Sequence, residues 1–206
     1  MCDELLFSVR NATNLKEIAD CVYQIIERDG IYNFSEYLLD EKINSLKNSE
    51  FYGIYQLLLL FAYGTYGEFI TNQNNLPMLT DRMKWKLRQL TFISLCARQR
   101  IIPLKLAMDE LHLPRIEDFE KFYISCIEDG IIKGFWDGEA GVITIKWCEN
   151  RDVADASLDA IQQDIRKLIK RCETIKLYLM ENTKENIEKQ SNTGPNQSES
   201  RMDVET

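Results

Sequence analysis

Histidine is nearly missing from this chain of 206 residues: His112 stands alone. A metal centre that needs two imidazoles, as histidine-rich metalloprotease sites do, cannot be assembled from it. Cysteine is present but never in pairs. Cys2, Cys21, Cys96, Cys126, Cys148 and Cys172 are scattered without any C-x-x-C, which excludes a zinc ribbon or a dithiol redox motif and reads as reduced, intracellular core residues. A Cys–His nucleophile pair stays arithmetically open, yet His112 sits between Leu111 and "LP" at a predicted helix end, where closing a turn is the simpler role. Long apolar runs are absent too: Leu57 to Tyr63 falls far short of the roughly 20 residues a bilayer needs, so no membrane span is expected. The opening "MCDELLFSVR" carries Asp3 and Glu4, and no secretory signal is expected there. Gly64 and Gly67 lack the Gly-Lys-Ser/Thr of a phosphate loop, and "WDGEAG", with Asp137 and Glu139, lacks the ligand spacing of a calcium loop. These absences leave no catalytic residue, cofactor site or metal site to name, and the expectation is a protein that is not an enzyme.

What is present is an ordinary globular composition, 45% apolar with a net charge of −8, sufficient for one sizeable core or two small ones. The charge is unevenly placed. Between residues 80 and 100 the cations Arg82, Lys84, Lys86, Arg88, Arg98 and Arg100 face one acid, Asp81; between 116 and 130 the acids Glu117, Asp118, Glu120, Glu128 and Asp129 face only Lys121.

Leu15, Ile18, Val22 and Ile25, widened by Ala19 and Ile26, predict an amphipathic helix closed at Gly30. A second helix is expected from Ser35, with Leu38 or Leu39, Ile43 and Leu46 inward. A third, with Ser49 as its N-cap, is apolar nearly all round from Phe51 to Tyr63 and must be surrounded; it is the expected central helix of a stacked array, and "GTYGEFI" turns into the next short helix. After a polar connector, Thr80 caps a long helix to Arg100. "IIP" stops it, Pro103 opens a helix that Pro114 ends, and Ile116, Phe119, Tyr123 and Cys126 form the stripe of another, closed by Gly130. Two strands then surround "GEAG", with Ile143, Ile145 and Trp147 on one face and Val142, Thr144 and Lys146 on the other. Three helices followed by a β-hairpin make the pattern of a winged helix. The stretch after it changes period: Leu158, Ile161, Ile165, Leu168, Cys172, Ile175 and Leu179 alternate spacings of three and four, a heptad seam. Residues 153 to 190 hold seven charges of each sign, so the seam asks for an apolar partner. From Gln190 the chain is polar and low in complexity, a predicted disordered tail. The expected division is 1–78 helical array, 79–152 winged helix, 153–189 long helix and 190–206 tail.

In a DNA-reading winged helix the recognition helix lies among phosphates. Here that helix is the acidic one, which phosphate repels, so nucleic acid is not the expected partner. The basic helix from Thr80 is read either as a solvated flank or as a contact for an acidic partner.

Three stretches together carry a family resemblance: "LLLLFAYGTYGEF"; the region 75–113 with Leu79, Thr80, Lys86, Leu87, Leu90, Thr91, Ser94, Leu95 and Pro103; and the region 115–153 with Ile131, Ile132, Gly134, Asp137, Arg151 and Asp152. Over most of Gly53 to Val153 the chain resembles the PCI-domain family, and within it the COP9 signalosome branch. Leu104 departs from the pattern, standing where the family commonly has Tyr. The resemblance implies a mostly α fold with a small β-hairpin wing, in which a right-handed helical-repeat array is followed by a winged helix and a long C-terminal helix. It implies a non-catalytic scaffold subunit, in cytoplasm and nucleus, of a complex that removes a ubiquitin-like modifier from cullins with a metalloprotease carried by another subunit. Other PCI subunits would meet the winged-helix sheet at Ile131, Ile132, Val142, Thr144 and Lys146, and a shared helical bundle would take up the seam from Leu158 to Leu179. The proteasome lid and a translation initiation factor are the alternative homes, and a winged-helix nucleic-acid binder is the alternative of another class.

Overall fold

A computed structural model describes the backbone of residues 2–192 and the side chains of residues 4–183. The predicted tail lies outside the described residues from 193 onward. The chain divides into two compact units after Ala154. The first is mostly helical with a small antiparallel sheet; the second is one long helix preceded by a 3-10 turn at Asp155–Ser157.

The first unit begins with α1 (Cys2–Asn11) and α2 (Leu15–Glu27). The spacing of α2 buries Ile18, Ala19, Val22, Ile25 and Ile26 as expected, while Leu15 stays exposed. The Glu17 carboxylate accepts from the Thr13 and Asn14 amides, and those bonds hold its pKa below the usual carboxylate value. The single helix expected from Ser35 is instead two, α3 (Ser35–Leu38) and α4 (Glu41–Ser45), followed by a 3-10 turn. Asp40 causes the break: its side chain accepts from the Lys42 amide and starts a new helix, so Leu39 points to solvent and Tyr37 fills the core. Next come α5 (Tyr52–Tyr63) and α6 (Tyr66–Asn72). Ser49 lies ahead of α5 and accepts from the Phe51 amide, while Thr65 and Glu68 form a reciprocal capping box that turns the chain into α6.

Thr80 accepts from the Met83 amide and opens α7 (Asp81–Arg98). This helix, not α5 alone, runs through the centre: Met83, Leu87, Leu90, Phe92, Ile93, Leu95 and Cys96 are buried, and so are the polar Lys86, Gln89 and Thr91. "IIP" does more than stop α7. It forms β1 (Ile101–Pro103), whose proline sits on an edge where no ladder donor is needed. Then follow α8 (Leu104–Leu111), α9 (Ile116–Glu128), β2 (Ile132–Asp137) and β3 (Val142–Cys148). The hairpin thus becomes a three-stranded sheet in the order β1-β3-β2. Phe119, Phe122, Tyr123 and Cys126 are the inner face of α9, with Ile116 exposed instead. The rings of Phe92, Phe119, Phe122, Tyr123 and Trp136 interlock edge to face beneath the sheet. Asp155 begins the second unit, and α10 runs from Leu158 to Asn192.

Candidate interaction surfaces

Strand β3 departs from the alternation its sequence suggests. Gly134 pairs with Ile145 but Lys133 pairs with Trp147, so Lys146 is an extra residue bulged out of register. Ile143 and Ile145 face the core, yet Trp147, expected beside them, is turned to the exposed face. The bulge needs Gly134, because a Cβ there would collide with the Thr144 carbonyl oxygen. On the outward face Ile101, Thr144 and Phe135 form one row across the three strands, and Trp147 and Lys133 form the next. Lys133 Nζ lies 5.3 Å from the Trp147 ring centroid and Lys146 Nζ 5.9 Å from that of Phe135. Ile101, Phe135 and Trp147 are exposed, which makes an apolar patch dressed by lysines.

Of the residues expected at this surface, Val142 and Thr144 are half-buried and Lys146 is exposed. Ile131 and Ile132 are not on it. Both are fully buried, because Ile131 bonds the Cys126 carbonyl at the end of α9 and Ile132 enters β2 facing inward. The aromatic members of the surface, Phe135 and Trp147, were missed; only the register slip, invisible in the spacing, brings Trp147 there.

Arg151 and Asp152 fix this sheet to the N-terminal helices. Arg151 donates to the carbonyls of Phe61 (3.1 Å) and Gly64 at the end of α5, and to Ser94 Oγ on α7 at 2.8 Å. Its burial pulls its pKa down to about 10. Asp152 accepts from the amides of Phe34 and Ser35 at the start of α3. One dipeptide therefore caps a helix C-terminus with a cation and a helix N-terminus with an anion.

The cations of α7 are not a free basic face. Lys86 is only 5% exposed, and its ammonium donates to the carbonyls of Ile26 and Arg28 at 2.6 Å each, closing the end of α2. Desolvation lowers its pKa to about 7. Arg88 donates to the Leu111 carbonyl and the Tyr66 hydroxyl, and Arg82 pairs with Asp29. The other three are held more loosely: Lys84 pairs with Asp81 at 3.3 Å, and Arg98 and Arg100 donate to the carbonyls of Ser94 and Lys146. His112 takes the left-handed conformation (φ 51°) at the end of α8, its ring 5.7 Å from that of Tyr66. Burial raises the Cys96 thiol to about 12 and the Cys126 thiol further, so neither is a ready thiolate. Among the described residues no cluster of three or more His, Cys, Asp or Glu could hold a metal, and no helix is long and apolar enough to cross a membrane.

In α10 the seam residues Leu158, Ile161, Ile165, Leu168, Ile175 and Leu179 are between 41% and 60% exposed, and Cys172 is exposed. Towards its end the helix is apolar beyond the seam: Leu177, Tyr178 and Met180 are also exposed.

A family model for the PCI domain matches residues 24–147. The mouse COP9 signalosome complex subunit 7a is 30% identical over 158 residues, covering 77% of this chain and 58% of that protein. COP9 signalosome complex subunit 7 of Dictyostelium discoideum is 30% identical over 146 residues, covering 71% and 56%. The 26S proteasome non-ATPase regulatory subunit 13 homolog A of Arabidopsis thaliana is 23% identical over 160 residues, covering 71% and 41%. The chain spans less than 60% of the length of each of these three relatives. The matched span takes in the bulge glycine and nearly all of the sheet, and the chain is a member of the PCI domain family.

Proposed function

We propose that the chain is a non-catalytic scaffold subunit of a COP9 signalosome, the complex that removes a ubiquitin-like modifier from cullins, in the nucleus and cytoplasm. The observation that carries this is the exposed heptad seam of α10, an apolar stripe on an otherwise charged helix, in a chain similar to signalosome subunits. The wider apolar surface around Leu177, Tyr178 and Met180 suits a bundle with more than one neighbouring helix. Residues 1–78 are read as a right-handed helical-repeat array and 79–152 as a winged helix; the order α7, β1, α8, α9, β2, β3 supports the second reading. The outward sheet face and the edge of β2 would meet another PCI subunit, because an edge strand presents unpaired backbone groups that a second strand can complete.

The test is affinity purification of the tagged full-length chain from its own cells, with mass spectrometry of the captured subunits and an assay for removal of the modifier from cullins. Replacing Ile165 and Leu168 by Asp, or deleting residues 153–190, releases the signalosome subunits and the activity; unchanged recovery refutes the proposal. Capture of proteasome-lid subunits would instead move the protein to that complex, the alternative reading.

A further inference from the structure

Helix α9 offers a second surface that the sheet and the seam do not use. Its inner stripe is consumed by the aromatic core, yet Ile116, Ile124 and Ile127 stand 48%, 46% and 43% exposed. At about 100° per residue these three fall within one ~80° arc of the helix, and Glu120 lies inside the same arc. Glu117 and Glu128 adjoin it, with Lys121 as the one cation at its rim. The neighbouring acids are already engaged: Asp118 with Arg115 at 2.8 Å, and Asp129 with Gln89 and Ser125. Glu117, Glu120 and Glu128 take part in none of the salt bridges among the described residues. A winged helix that read nucleic acid would present cations on this helix. Three exposed isoleucines among three glutamates instead repel phosphate and attract an apolar stripe flanked by lysine or arginine.

We propose that the outward face of α9 is a docking site for a basic amphipathic helix of a partner protein, its apolar side on Ile116, Ile124 and Ile127 and its cations against Glu117, Glu120 and Glu128. The mode is helix against helix, in which anchors at helical spacing give affinity and the flanking charges fix orientation and select against other partners. It is independent of α10 and of the complex to which the chain is assigned.

The test uses the full-length chain and a fluorescein-labelled 18-residue peptide with leucines at helical spacing and lysines on both flanks. A scrambled peptide of the same composition and a version with glutamate for every lysine serve as controls. The patterned peptide is expected to bind at least tenfold tighter than either control by fluorescence anisotropy, and to weaken steeply with salt. Ile124→Asp with Ile127→Asp should lower its affinity at least tenfold, and Glu120→Lys with Glu128→Lys should reverse the preference in favour of the glutamate peptide, with unchanged circular dichroism in each variant. Equal binding of the scrambled peptide overturns the proposal, as does binding that survives both α9 variants. Loss of binding in Ile165→Asp with Leu168→Asp alone would place the peptide on the seam and overturn it too. Light scattering that finds a dimer abolished by the isoleucine changes would give the face to a second copy, which also refutes it.

Discussion

Lys86 concentrates the chemistry of single residues in this fold. It closes α2 by donating to two carbonyls that no amide of the helix can reach. Lys86→Met leaves both without that donor and is expected to lower stability by about 2 kcal/mol, read from the urea midpoint. The effect should grow with pH. Below about 7 the amine is protonated whether the chain is folded or not; between about 7 and 10.5 the unfolded chain keeps the proton that the folded one has lost, so stability rises with pH through that window. The difference between the natural chain and Lys86→Met should therefore widen from pH 7 to pH 9.5, and a constant difference would refute the assignment. Asp152→Ala removes an N-cap and should cost about 1 kcal/mol in the same measurement.

Among the elements, the bulged strand makes the sharpest demand. Gly134→Ala forces a Cβ against the Thr144 carbonyl and is expected to destabilise by about 1–3 kcal/mol, with a lowered melting temperature and shifted amide resonances in β2 and β3. The same bulge marks where reading by period stops working. Strict alternation puts Trp147 with Ile143 and Ile145, and it holds for the isoleucines; one inserted residue at Lys146 then turns the tryptophan over. Helices were legible wherever burial and period agreed, as in α2, or where a cap announced them, as at Thr80. The break at Asp40 was hidden because Leu38, Leu39, Ile43 and Leu46 keep a helical spacing across it, and β1 was hidden because three residues before a helix carry no period of their own. Charge misled at α7: cations look solvated in a sequence, and only tertiary contact reveals that Lys86 ends another helix. Of the proposed partner surface, the seam could be read directly from heptad spacing, whereas Ile131 and Ile132 could not be told from surface residues before the packing of α9 was known.

For the whole molecule, the two helical surfaces should differ in their response to salt. The seam of α10 is apolar and its surrounding charges balance, so its association should hardly change between 50 and 500 mM salt, whereas peptide binding at α9 should weaken strongly over the same range. Pull-down at the two salt concentrations separates them, and parallel loss of both would contradict the division. The Arg151–Asp152 clasp has a further consequence, for synthesis. Asp152 reaches back 118 residues to Phe34, and Arg151 reaches back 87 to Gly64. While the chain is being made, α3 and α5 emerge early and must wait with uncapped ends until the last residues of the first unit leave the ribosome. A nascent chain that stops before Arg151 carries nearly all the helices but not this clasp, so α3 and α5 are fastened last, from the far end of the unit.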